Sequence, residues 1–142
     1  MGQYYIIVNL DKKEYLKPHE FGDGAKLLEF GSSGDGTMLG LAILLAHGNN
    51  RGGGDLRSDN PLIGSWRGDR IIVTGDYANA LEFIEASYQE LKEVAEKCNT
   101  SIGNLNLYAF AKERFRDISK EVIEVLKADP YLRDCFNSKL RR

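Results

Sequence analysis

Apolar and β-branched positions fall in short runs over the first half of the chain and in helical stripes over the second. Tyr4–Leu10 is apolar at nearly every position. It gives way to Asp11-Lys12-Lys13 before Glu14-Tyr15-Leu16 resumes. Two such runs around a polar turn predict a hairpin, and a first strand without alternation predicts one covered on both faces, hence central in its sheet. Lys26–Phe30 is short enough for a strand or a helical turn. Gly31–Gly36 (GSSGDG) is a flexible turn, and Thr37–His47 is apolar on nearly every side with few β-branched residues. That run predicts a core helix of about three turns, with Gly48 in the left-handed position just past its end.

Gly48–Pro61 is a long irregular stretch around an RGGGD run, of a length at which a loop in a compact domain is functional or mobile. In Gly64–Ala78 (GSWRGDRIIVTGDYA), the run Ile71–Thr74 lies between two Gly-Asp turns, predicting an interior strand with Asp69 and Asp76 at opposite ends. Leu81, Ile84, Tyr88, Leu91, Ala95 and Cys98 then recur at steps of three and four. They predict a helix over Asn79–Cys98, capped by Asp76, with Glu82 and Glu85 near the positive end of its dipole. Leu105–Phe110 alternates weakly, as a strand does. Phe115, Ile118, Val122 and Leu126 mark a helix that stops before Asp129-Pro130, and Tyr131–Leu140 a last helical piece. The pattern is α+β: a small mixed or antiparallel sheet from the N-terminal half, a buried helix 37–47, and helices after residue 79 packed against it, in one domain over residues 1–142.

Composition narrows the function classes. Apolar residues make up 42% and charged residues 28%, the balance of a globular chain. A net charge of −2 leaves no electrostatic footprint for general nucleic-acid binding. The two cysteines, Cys98 and Cys135, are unclustered, which fits reduced thiols in a cytoplasmic protein and no zinc site. The longest apolar run, Leu41–Ala46, is far short of a membrane span. No cofactor is indicated.

Thirteen of the fifteen glycines lie between Gly22 and Gly75, and Gly-Asp occurs five times there, ending at Asp23, Asp35, Asp55, Asp69 and Asp76. Both residue types favour turns, which accounts for the pairs. The functional alternative is that several carboxylates converge on a divalent cation, although no EF-hand spacing supports it. Gly31–Thr37 offers the parts of an anion cradle in Ser33, Gly34, Gly36 and Thr37. A plain capped helix start uses the same residues, and Asp35 opposes an anion. Trp66 beside Arg67, Asp69 and Arg70 offers an aromatic face and guanidinium groups for a nucleotide, or else a core plug flanked by ion pairs. His19, near Glu20 and Asp23, is the candidate general acid or base.

The stretches MGQYY-x-x-VNLDKKEYL, PHEFGDG-x-KLLEFG and GSW-x-GDRIIV-x-GDYA resemble a family of uncharacterised proteins that begin MGQYY or MGQYW and carry G-x-W-x-GDRI-x-x-x-GDY. The likeness covers about the first 78 residues. It implies no activity; it groups Trp66, Gly68, Asp69, Arg70, Gly75, Asp76 and Tyr77 as a unit. Arg67 stands where that pattern usually has Ala. The leading expectation is a binding module for a small anionic ligand such as a nucleotide, held by Trp66, Asp69, Arg70 and the cradle. One alternative is a hydrolase or transferase using His19 and loop aspartates, with or without a metal. Another is a protein–protein interaction module, with which a homo-oligomer is compatible, whose Gly-Asp loops only connect strands.

Overall fold

The computed structural model describes residues 2–130, 132 and 133. Strands β1 (Tyr5–Asn9) and β2 (Glu14–Leu16) form the expected hairpin, antiparallel with Ile7 opposite Leu16. Asn9 fixes its turn: Oδ1 accepts from the amides of Asp11 and Lys12 at 2.9 and 2.8 Å, and its carbonyl accepts from Lys13 N at 3.0 Å. Side chains that bond their own backbone a few residues on favour such turns. β3 (Ile71–Gly75) pairs antiparallel with the other edge of β1, and β4 (Arg116–Asp117) adds in parallel to β2. The order β3-β1-β2-β4 makes the sheet mixed and β1 internal, as its unbroken apolar run requires. It also corrects the expectation for β3, which is an edge strand with Val73 exposed. Three strands come from the first 75 residues; the fourth is recruited from beyond 115.

Helices cover both faces. Ile7 and Leu16 point into a cluster with Phe21, Phe30, Leu44, Trp66 and Val122, contributed largely by α1 (Leu27–Phe30), α2 (Thr37–Leu45) and α5 (Ser119–Lys127). Lys26–Phe30 therefore resolves as a helical turn. On the other face Ile6, Val8 and Tyr15 meet Leu107 and Ala111 of α4 (Leu107–Arg114), and α3 (Tyr88–Lys97) packs on α4 through Val94 and Ala95. Gly40 sets the depth of α2: a Cβ there would stand 2.9 Å from Phe21 Cε2 and 3.2 Å from Val122 Cγ1. Although α2 is apolar all round, only Thr37, Gly40 and Leu44 are fully buried, and Leu45 is exposed. It ends at Leu45, with Ala46 extended, so Gly48 (φ 92°) falls two residues past the cap.

Two expectations fail for tertiary reasons. The helix expected over 79–98 begins only at Tyr88, and Ser87, not Asp76, is its N-cap, its hydroxyl accepting from Glu90 N at 3.1 Å. Ser87-Tyr88-Gln89-Glu90 has capping-box spacing, a local signal of this start. Residues upstream are held elsewhere: Ala80 bridges to Asn106, and Leu81 N donates to Leu105 O at 2.8 Å. The strand expected over Leu105–Phe110 is instead the start of α4, nucleated by Asn106, whose side chain accepts from Ala109 N at 3.0 Å. The helix expected around Phe115, Ile118, Val122 and Leu126 starts only at Ser119, leaving Phe115 before β4. The piece expected over 131–140 lies, apart from Leu132 and Arg133, outside the described residues.

Candidate functional site

The stretch from Trp66 to Tyr77 is bonded to the N-terminal segment at Trp66, Asp69, Arg70, Ile72, Thr74, Asp76 and Tyr77. Trp66 is fully buried; its indole N–H donates to Glu14 Oε1 at 2.8 Å and its amide to Leu44 O at 2.9 Å. The other oxygen of Glu14 takes Arg116 Nη2 at 3.0 Å, tying the indole, β2 and β4 together. Asp69 Oδ2 accepts from Asn9 Nδ2 and from Lys12 Nζ, both at 2.8 Å. Arg70 donates from its amide to Asp11 Oδ2 at 2.7 Å and from Nε to Asp11 Oδ1 at 2.9 Å, while Nη1 reaches Glu85 Oε1 at 2.8 Å. At the far end of β3, Asp76 Oδ1 accepts from Tyr4 N at 2.9 Å and Tyr77 N donates to Gln3 Oε1 at 3.2 Å.

These contacts set the local electrostatics. The Arg70 amide, and then its guanidinium, hold the Asp11 carboxyl below its ordinary value. The Asn9 amide, followed by Lys12, does the same for Asp69. Asp11 and then Glu85 hold the Arg70 guanidinium even more firmly protonated. Trp66 thus presents no ring face to a ligand, and the positive charge of Arg70 is met by two carboxylates. Arg67 spends Nη1 on Gly64 O at 2.7 Å. Trp66, Asp69, Arg70 and Asp76 thus brace β3 and its flanks against the N-terminal segment.

The proposed anion cradle already holds an anionic group of the chain itself. Asp23 Oδ2 accepts from Thr37 N at 2.8 Å and Thr37 Oγ1 at 2.7 Å, occupying the start of α2. Ser33 Oγ donates to Phe30 O at 2.7 Å and the Gly36 carbonyl accepts from Gly40 N at 3.0 Å, while Gly34 lies exposed. This region therefore lies apart in bonding from Trp66, Asp69 and Arg70. His19 is exposed, and its Nδ1 lies 3.1 Å from the backbone oxygen of Asp23, not from the carboxylate. Asp55 accepts from the amides of Arg51 and Gly52. Four of the five Gly-Asp carboxylates, those of Asp23, Asp55, Asp69 and Asp76, thus serve turns, caps and strand pairing. Among the described residues no group of three His, Cys, Asp or Glu is placed to hold a metal ion. No helix among them is long and apolar enough to cross a membrane.

The feature that sequence reading missed lies at the outer edge of β3. Leu10 N donates to Arg70 O and Asp76 N to Tyr4 O. In that antiparallel register the groups facing β1 belong to Ile72 and Thr74, so those of Ile71 and Val73 point outward. Beyond Gly75 the chain turns, with Ala78 N donating to Gly75 O at 3.1 Å, and doubles back until Glu85 meets Arg70. This strap is anchored by the Ala80–Asn106 bridge and by Asn106 Nδ2, which donates to Asp76 O at 3.0 Å. Between strap and strand runs a cleft of about 300 Å³, lined by Val73, Thr74 and Gly75 on one side and Asn79, Glu82 and Phe83 on the other. Leu81 and Phe83 hold φ of 66° and 63°, a left-handed conformation that bulky side chains avoid. Of nine exposed large apolar side chains among the described residues, five (Tyr4, Val73, Tyr77, Leu81 and Phe83) belong to β3 or to segments joined directly to it. Neither a family model, nor a curated protein, nor a solved structure matches this chain.

Proposed function

We propose that this chain is a protein-interaction module that receives an extended polypeptide segment along the free edge of β3. The observation that carries the reading is the outward backbone of Ile71 and Val73, open beside a cleft with exposed Val73 and Phe83. An unpaired strand edge is a template for a further strand: main-chain hydrogen bonds give affinity, and side-chain contacts in the cleft give selectivity. Natural edges are usually blunted by Lys, Pro, a bulge or a covering loop; β3 holds no Lys or Pro, and the strap beside it leaves a cleft rather than pairing with it. The anion-binding and hydrolytic readings have less support, because Asp23, Asp69, Asp76 and Arg70 are engaged within the chain.

The test is to pan short random peptides displayed on phage against the full chain and against Val73→Pro. Proline at Val73 removes no hydrogen bond to β1, since that N–H points outward, but it blocks pairing from outside. Peptides that bind the parent and lose binding to a folded Val73→Pro support the reading. Peptides that bind both alike overturn it. So does a parent stabilised by several degrees with nucleotides or inorganic phosphate while no peptide is enriched, since a ligand of the native state raises its melting temperature.

A further inference from the structure

We infer that the segment received at β3 is a basic one: an extended stretch carrying a Lys or Arg that meets Glu82, flanked by β-branched or aromatic residues that pack on Val73 and Phe83. The inference rests on the reading of β3 as a docking edge and adds the chemistry of the occupant. Glu82 is the only charged residue that lines the cleft, and it makes no hydrogen bond or ion pair among the described residues. The neighbouring charges are settled: Asp76 Oδ1 takes Tyr4 N, and Glu85 closes the far end of the strap on Arg70. Arg70 in turn is matched by Asp11 as well as by Glu85, so its charge is not left over to neutralise Glu82.

A strand laid on Ile71 and Val73 removes water from the cleft, and an unpaired carboxylate then costs more than it does in solvent. A cation on the incoming strand offsets that cost, and a carboxylate on it adds to the cost. The same argument disfavours a second copy as the occupant. Pairing β3 with its own counterpart brings two Glu82 carboxylates to one joint whose lining residues include no cation. Thr74, Asn79 and Gln3 line the cleft as well and suit an extended backbone rather than a purely apolar helix.

The experiment uses peptides enriched from the displayed library, synthesised with a fluorophore and titrated into the full chain at low salt. The expected result is that they carry Lys or Arg among β-branched residues and weaken about three- to fivefold with Glu82→Gln, the range of an exposed ion pair. They should weaken by about tenfold with Glu82→Lys, which opposes like charges, and panning against that variant should enrich acidic peptides. If binding is lost in Val73→Pro but is indifferent to Glu82→Lys, the edge is a docking site and the basic occupant is wrong. If peptides bind Val73→Pro as tightly as the parent, the docking reading itself falls. A parent that sediments as a dimer, and a Val73→Pro chain that sediments as a monomer, would assign the edge to a second copy and overturn the inference.

Discussion

Replacing Trp66 tests whether the central stretch is a brace or a ligand platform. The indole is fully buried among Ile7, Leu16, Phe21, Phe30 and Leu44, and its N–H meets Glu14 Oε1 at 2.8 Å. Trp66→Ala removes the whole side chain, which costs about 3–5 kcal/mol for a buried aromatic. Glu14 is not stranded, because Arg116 still holds its other oxygen at 3.0 Å. Such a loss is a large share of the roughly 5–15 kcal/mol that holds a domain folded, so Trp66→Phe is the more informative change. It keeps an aromatic ring and forfeits the bond to a charged acceptor, about 1.5–3 kcal/mol. At roughly 2–4 °C per kcal/mol for a chain of this size, the melting temperature should fall by about 3–12 °C. The assay is urea and thermal unfolding followed by far-UV circular dichroism, since Trp66 is the only tryptophan and its variants lose the fluorescence signal. In the parent, that single fluorophore should emit at short wavelength and resist quenching by acrylamide. A Trp66→Phe chain as stable as the parent, or parent fluorescence quenched by added nucleotide, would refute the placement of this side chain in the core.

Gly64 holds φ of 76°, and a Cβ there would lie 2.4 Å from the carbonyl oxygen of Ala46. Gly64→Ala should therefore cost roughly 1–3 kcal/mol in urea unfolding, and more than Gly68→Ala, whose Cβ meets nothing within 4 Å. Asp23→Ala removes the acceptor for both Thr37 N and Thr37 Oγ1. It should destabilise by about 0.5–2 kcal/mol, the cost of a lost cap, and speed amide exchange at Thr37. Asp11 and Asp69 both bind protons less tightly folded than unfolded, so the unfolded chain takes up protons first on acidification. Their stabilisation is present above the ordinary value of 3.8 and is lost as pH falls from there through the lowered native values. The gap in melting temperature between parent and Asp69→Asn should accordingly be widest near neutrality and close in acid; a gap independent of pH would contradict the assignment.

Much of the fold is written locally. The hairpin follows from an apolar run broken by Asp11-Lys12-Lys13, the position of β1 from its lack of alternation, and α2 from an apolar run too long for a strand. The five Gly-Asp pairs are legible as turn chemistry, and for the four with assigned bonds the structure gives each carboxylate a structural partner. Distant pairing decided the rest. The stripe from Leu81 to Cys98 satisfies helical spacing throughout, yet its first third becomes a strap. Asn106 and Leu105 bind that backbone, and Ser87 offers a cap only at the later start. Leu105–Phe110 alternates like a strand but follows the Asn106 cap into α4, and the two residues of β4 carry no periodicity at all; they are a strand only because β2 lies beside them. The candidate site divides in the same way. Trp66, Asp69 and Arg70 stand out in sequence, but whether they face a ligand or the chain depends on Glu14, Asn9 and Asp11, some 52 to 60 residues away. The open edge of β3 has no sequence signal either. The apolar run Ile71–Val73 reads in sequence as interior, like that of β1, and only the sheet order leaves β3 with a row of backbone groups for a partner.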